Sequence, residues 1–309
     1  MTIHAASAYH VPVLLQSSVD ALCIKPSGIY FDLTFGGGGH SREILRRLGP
    51  DGKLFAFDQD ADAFQNVPHD DQRLVFVHSN FRHLARWARY YGVAEADGVL
   101  ADLGVSSHHF DDATRGFSFR FDSVLDMRMN KGGEKTAADV LNTYSEEQLS
   151  RIFSLYGELP RARQMARAVV KARDVKPLHF VSDLTSLFVP LLPRSREKKE
   201  MAKLFQALRI EVNKEMSVLA EMLSATAKSL RVGGRLVVLT YHSLEDRMVK
   251  NVMRSGSIDG RVEQDLYGHN LAPLRMIGNK PIVPNEEEQL ANPRSRSAKL
   301  RVAERIASI

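Results

Sequence analysis

The sequence predicts an α/β fold: an open, largely parallel sheet with helices, into which a helical domain is inserted. Three observations carry this expectation. Residues 28–60 read as strand, glycine loop, helix, turn and second strand. Further short apolar runs at 74–77, 98–103 and 235–240 alternate with helix-period segments, the pattern of a parallel sheet. Between residues 136 and 196 that alternation stops and helical blocks take over.

Residues 29–33 are apolar except for Asp32, which suits a strand buried on both faces. Gly36, Gly37, Gly38 and Gly39 follow, and His40-Ser41 opens a helical pattern through Ile44, Leu45 and Leu48. Gly49-Pro50-Asp51-Gly52 closes that helix. Residues 53–57 form the next strand, with Asp58 at its carboxyl end. Glycines let a backbone approach a ligand closely, and exposed N–H groups at a helix start attract an anionic group. An acid roughly 20 residues beyond the loop is placed to accept hydrogen bonds from ribose hydroxyls. A glycine-rich turn is the plainer reading, but the complete unit favours a nucleotide-type cofactor. A dinucleotide loop counted from Gly36 wants a glycine where Ser41 stands. Asp32, Gly36 and Gly38 instead fit acid-x-Gly-x-Gly-x-Gly, with Thr34 replacing the first glycine, which favours S-adenosylmethionine over a nicotinamide.

The chain in order supports the sheet. Residues 17–22 form a short helix after His10-Val11-Pro12, where a histidine beside proline is more often structural than ligand-binding. Cys23 lies among Val19, Leu22 and Ile24, which predicts a buried thiol. Residues 61–66 suggest a short helix and 73–78 a third strand, with Phe81 beyond its carboxyl end, where open α/β sheets hold ligands. Phe81 either packs on an adenine ring or seals the sheet. The fourth strand ends at Asp102, the carboxylate available to hold the protons of an exocyclic amine; a turn-capping aspartate is the alternative.

Helical blocks are expected at 136–141, 145–156 with Ser145 as cap, 161–173 and 181–192. Arg163, Arg167 and Lys171 share one helix face, either solvated or contacting RNA phosphates. Arg194, Arg196, Lys198 and Lys199 form a second basic cluster. Residues 205–230 read as one long helix, with Arg209 and Asn213 one turn apart and able to approach a site, and Arg231-Val232-Gly233-Gly234 ends it. The fifth strand, 235–240, delivers Tyr241 and His242 to the ligand edge, the first as a platform for a base, the second as a proton acceptor or turn cap. The tail from 255 to 288 is irregular, and Arg294 and Arg296 precede a final strand.

Composition narrows the class. The 309 residues are 44% hydrophobic and 26% charged, enough for a full core in one large or two moderate domains. Net charge +5 and pI near 9.3 mildly favour an anionic partner. A single cysteine excludes internal disulfides and a multi-thiolate zinc site. The amino terminus lacks a signal-peptide pattern and no run reaches membrane-spanning length, so a cytoplasmic protein with no membrane association is expected.

Taken together, the blocks resemble the bacterial 16S ribosomal RNA (cytosine-N4)-methyltransferases. They run in order from His10-Val11-Pro12-Val13-Leu14-Leu15 through Thr34-Phe35-Gly36-Gly37-Gly38-Gly39-His40-Ser41 and Asp102-Leu103-Gly104-Val105-Ser106-Ser107. Arg115-Gly116-Phe117-Ser118-Phe119, Asp126-Met127-Arg128-Met129 and Phe205-Gln206-Ala207-Leu208-Arg209-Ile210 follow. Tyr241-His242-Ser243-Leu244-Glu245-Asp246-Arg247 and Asn292-Pro293-Arg294-Ser295-Arg296-Ser297 complete them. The resemblance implies a class I S-adenosylmethionine-dependent methyltransferase, a Rossmann-like sheet at 1–109 and 205–309, with an inserted, RNA-recognising helical domain at 110–204. It implies methylation of a cytosine N4 in the decoding region of 16S rRNA, with the small ribosomal subunit as partner and no metal. Gly38, Gly39 and His40 would hold the methionine part of the cofactor and Asp58 the ribose. Phe81 and Asp102 would border the adenine, and His109 stands where the family also contacts the cofactor. Ser106, Arg209, Tyr241, His242 and Arg296 are the candidate substrate contacts. His108-His109 replaces the usual Pro-Gln, and Leu33 replaces a small residue, which predicts a slightly shifted loop. Asp-Leu-Gly-Val stands where related amino-methyltransferases carry an Asp-Pro-Pro-Tyr-like run, so the aromatic platform must come from elsewhere. The competing readings are a nicotinamide-dependent oxidoreductase and a non-catalytic RNA-binding assembly protein. Monomer and homodimer both remain compatible with the sequence.

Overall fold

A computed structural model describes residues 12–68, 70–104, 112 and 114–306. The chain divides into two compact units, one taking the chain up to Gly104 and from Val218 onward, the other Val105–Ser217.

In the first unit, α1 (Leu15–Ala21) precedes β1 (Ile29–Asp32), α2 (Gly39–Arg47) and β2 (Lys53–Asp58). A 3₁₀ turn (Ala61–Asn66) leads to β3 (Leu74–His78), a second (Phe81–His83) to α3 (Leu84–Tyr90), and β4 (Ala96–Asp102) follows. These strands are parallel, and their interior residues Tyr30, Leu54, Phe57, Val99 and Leu100 are fully buried. Both faces are covered, which is why the runs read as continuously apolar rather than alternating. Cys23 is a correction: it is exposed, in a left-handed turn at φ 50°, so its apolar neighbours pack inward without it.

The second unit is helical. It contains α4 (Ala137–Thr143), α5 (Glu146–Leu155), α6 (Ala162–Arg173), α7 (Val181–Phe188) and α8 (Glu197–Val212). Ser145 caps α5 in a reciprocal box with Gln148, as its sequence predicts, and Thr136 with Asp139 does the same for α4. The core gathers Leu141, Leu149, Phe153, Met165, Leu184, Phe188 and Leu208. The long helix expected over 205–230 is two helices, α8 and α9 (Glu215–Ser229), separated at Asn213-Lys214. Lys214 is left-handed at φ 52°, and the Asn213 side chain accepts from Met129 N–H (2.7 Å) and donates to the Met127 carbonyl (2.8 Å). The apolar stripe runs unbroken across this point and no proline or glycine marks it, so periodicity alone conceals the break. The second unit accordingly extends through Ser217, past the boundary expected at 204.

The chain then completes the sheet with β5 (Leu230–Thr240), α10 (Ser243–Ser255), β6 (Leu274–Met276), α11 (Glu286–Ala291), a 3₁₀ turn (Pro293–Ser297) and β7 (Lys299–Arg305). Residues 231–234, expected to end a helix, belong to β5, where Gly233 turns at φ 80° and the pairing with β4 shifts register. The tail expected to be irregular contributes β6 and α11. Among the described residues the sheet has seven strands in the order β3-β2-β1-β4-β5-β7-β6, with β7 antiparallel to both neighbours. The order reverses direction between β1 and β4, which makes their carboxyl ends the ligand crevice of such a sheet.

Candidate active site at the carboxyl edge of the sheet

The crevice is lined by carboxylates from three strands: Asp32 ends β1, Asp58 ends β2 and Asp102 ends β4. The glycine loop lies between the first two. Gly36 adopts φ 51° with open space where a side chain would project, and Gly38 adopts φ 75°. A Cβ on Gly39 would come within 2.1 Å of Pro12 Cγ, so a larger residue would displace the start of α2. The loop is thus a backbone cradle with a free side, the form a cofactor's polar chain requires.

Asp58 fixes this cradle. Its Oδ2 accepts from Gly36 N–H at 2.8 Å and its Oδ1 from Asp60 N–H at 2.8 Å. Two backbone donors thus hold the Asp58 carboxylate in place at the carboxyl end of β2. Asp32 is fully buried beneath the loop, accepting from Thr34 N–H (3.1 Å) and Ser41 Oγ (2.6 Å). Burial raises its pKa to about 6 against the lowering effect of those hydrogen bonds, with Asp58 adding to the rise. Thr34 Oγ1 accepts the Asp102 N–H at 2.7 Å, which ties the end of β4 to the turn after β1.

Asp102 is the electrostatic focus. Tyr241, immediately after β5, donates its hydroxyl to Asp102 Oδ1 at 2.7 Å, while His40 Nδ1 lies 3.8 Å from Oδ2. Burial pushes Asp102 up to about 7, the Tyr241 bond lowers it, and Asp32 and Glu245 raise it. The buried His40 ring is held neutral, its pKa lowered to about 4 by burial. Burial and the Asp102 charge raise Tyr241 well above the ordinary phenol value, so it stays a hydrogen-bond donor. A carboxylate near neutrality, bracketed by a fixed donor and an uncharged imidazole, can accept a proton or hold an amine hydrogen.

The structure therefore brings Gly38, Gly39, His40, Asp58, Asp102 and Tyr241 to one edge of one unit. Phe81 stands at the end of β3, partly buried, with Asn80 capping its turn. His242 caps α10: its Nδ1 accepts from Glu245 N–H at 3.4 Å and its Nε2 lies 3.0 Å from Glu245 Oε1. That is the capping alternative weighed for it. Arg296 is exposed in the turn before β7. Arg209 sits in the helical unit in a two-bond ion pair with Glu215 (2.8 and 3.0 Å) that spans the α8–α9 break. His109 and Ser106 lie outside the described residues, as does His10. Sequence reasoning missed Thr34 and Ser41 as supports for the two acids. The signal was available for Ser41, which occupies the position where a dinucleotide loop would carry glycine.

The profile of the MraW methylase family matches residues 7–306. A ribosomal RNA small subunit methyltransferase H from Phocaeicola vulgatus is 60% identical over 97% of this chain and 99% of its own length. The protein of that name from Bacteroides thetaiotaomicron is 58% identical over 96% and 97% of the two chains. Its counterpart in Christiangramia forsetii is 52% identical over 96% and 98%.

Proposed function

The chain belongs to the MraW methylase family along nearly its whole length, and from that premise we propose that it methylates small-subunit ribosomal RNA from S-adenosylmethionine. The acceptor is the exocyclic N4 of a cytosine in the decoding region of 16S rRNA. The observation that carries this reading is the 60% identity, end to end, with a ribosomal RNA small subunit methyltransferase H. No helix among the described residues is long and apolar enough to cross a membrane, and the reading puts the protein in the cytoplasm with the small subunit.

When bound, S-adenosylmethionine supplies an electrophilic methyl group on a sulfonium. The protein's own tasks are then alignment and proton management. Gly38, Gly39 and His40 hold the methionine portion, a role supported by the open cradle and by an uncharged imidazole that adds no positive charge beside a cation. Asp58 receives the ribose hydroxyls, and Phe81 and Asp102 border the adenine. Tyr241 immobilises Asp102, leaving Oδ2 as the acceptor for an N4 hydrogen. S-adenosylmethionine held by Gly38, Gly39, His40 and Asp58 would supply the methyl group to N4 and leave as the neutral thioether. The surplus N4 proton passes to Asp102, whose pKa near 7 leaves it largely ionised above neutrality. The cytosine must be unstacked to reach this edge, which is least costly in a single-stranded or loosely paired segment.

The test is transfer of labelled methyl groups to small subunits or 16S rRNA from cells lacking this protein, followed by nucleoside mass mapping. N4-methylcytidine at a single decoding-region position is expected. RNA binding without transfer would leave an assembly protein. Thermal stabilisation by a nicotinamide dinucleotide and not by S-adenosylmethionine would indicate an oxidoreductase.

A further inference from the structure

Helix α10 leaves the active-site edge directly, capped by His242 just beyond Tyr241. Its inward face buries Leu244, Val249, Val252 and Met253. Its two acids are also turned inward and consumed. Glu245 accepts from Tyr241 N–H at 3.0 Å, and Asp246 is held by Arg301 (2.6 Å) and Lys299 (3.1 Å). What remains outward is basic. Arg247, Lys250 and Arg254 are exposed, recur at spacings of three and four, and therefore share one face. None of the three has an ion-pair partner among the described residues.

In the same unit Arg47, Arg73, Arg82 and Arg235 meet carboxylates, whereas the exposed Arg86 and Arg89 of α3 are, among the described residues, unpaired like the trio. In the basic stripe of α6 only the middle member, Arg167, has an ion-pair partner among the described residues, Glu146 at 3.5 Å. A helix that directs its acids into the core and its bases into solvent presents uncompensated charge. At about 1.5 Å per residue the trio spans about 10 Å, comparable with three phosphate-to-phosphate steps of a strand rising about 3.4 Å each.

We propose that this face of α10 is a phosphate track for the RNA strand flanking the target nucleotide. The inference rests on the reading of the substrate as RNA and adds where its backbone lies. The partner follows from charge complementarity and from the track's origin at the catalytic edge.

The experiment compares the full-length protein with the triple variant Arg247→Gln, Lys250→Gln, Arg254→Gln on a 16S rRNA fragment. Fragment affinity is measured across salt concentrations, and methyl transfer across fragment concentrations at saturating S-adenosylmethionine. Neutralising three single-strand phosphate contacts should flatten the log Kd against log salt slope by about 2. The KM for RNA should rise on the order of 10-fold or more, with cofactor affinity unaltered. The charge-conserving variant Arg247→Lys, Lys250→Arg, Arg254→Lys should restore the slope. An unchanged slope and KM in the triple glutamine variant would overturn the track while leaving the enzymatic reading intact. A slope that flattens in the triple glutamine variant while the wild type transfers no methyl group would overturn the enzymatic reading and leave the track.

Discussion

The helical unit and the carboxyl edge of the sheet handle charge in opposite ways. In the helical unit Asp139 closes a capping box with Thr136 and Asp126 receives Arg128 in two bonds, and the acids drawn inward are Glu200, buried on α8, and Glu215, paired with Arg209. Its core is aliphatic and aromatic. At the sheet edge, Asp32 is fully buried and raised to about 6, Asp102 is raised to about 7, and His40 is buried without charge. Burying a carboxylate costs stability unless something compensates it. The crevice gathers two carboxylates with raised pKa values and a neutral imidazole, a departure from local rules of the kind expected at a functional site.

The comparison can be broken most strongly from the helical side. Phe153 is fully buried, and Phe153→Ala should destabilise the helical unit by about 3–5 kcal/mol, read by denaturant unfolding. Cofactor affinity under conditions where the protein stays folded should be unchanged; a large loss would show that the helical unit also builds the cofactor site. At the sheet edge, Asp58→Ala should weaken S-adenosylmethionine binding on the order of 100-fold by calorimetry, about 2.7 kcal/mol. A change below threefold would remove Asp58 from the cofactor site.

Stability against pH sharpens the contrast. Asp32 and Asp102 have folded-state pKa values above their ordinary carboxylate range, so the native state binds more protons than the unfolded chain between about pH 4 and 7. Their contribution is full below about pH 4 and is lost as pH rises through 6 and 7. Ligand-free protein should therefore melt lower at pH 8 than at pH 5, and Asp102→Asn should recover about 2–5 °C at pH 8 and little at pH 5. A lower melting temperature for the variant at pH 8 would contradict the strain assigned to this carboxylate. The smallest effect is expected at Tyr241. Tyr241→Phe removes the bond that lowers the Asp102 pKa, so the rising limb of the pH–rate profile should move to higher pH. Methyl transfer near neutrality should fall about 10-fold, or about 1.4 kcal/mol. An unmoved limb would separate Tyr241 from Asp102.

Much of the fold was legible because parallel strands buried on both faces leave plain apolar runs, and because Gly36–Gly39 followed by a helix and Asp58 is a local pattern. Ser145 announced its own helix through Gln148 three residues on. What stayed hidden was non-local. The Tyr241–Asp102 bond joins positions 139 apart, so nothing near either residue announces it. The break at Asn213-Lys214 is stabilised by the carbonyl of Met127 and the N–H of Met129, again remote in sequence. Strand β6 is three residues long and, among the described residues, pairs with β7 alone, too short for any period to register. The neutral state of His40 likewise follows from burial, not from its neighbours in the chain.

On the proposed function the sheet edge divides its labour, with the glycine loop and Asp58 capturing the cofactor and the Tyr241-held carboxylate of Asp102 managing the amine. The direct test is Asp102→Asn, with S-adenosylmethionine affinity by calorimetry and the single-turnover methylation rate on 16S rRNA measured on the same preparation. The expected result is a rate lower by at least about 100-fold, the usual scale for losing a general base, with cofactor affinity within about threefold of wild type. Parallel loss of affinity and rate would contradict it and return Asp102 to the cofactor pocket alone.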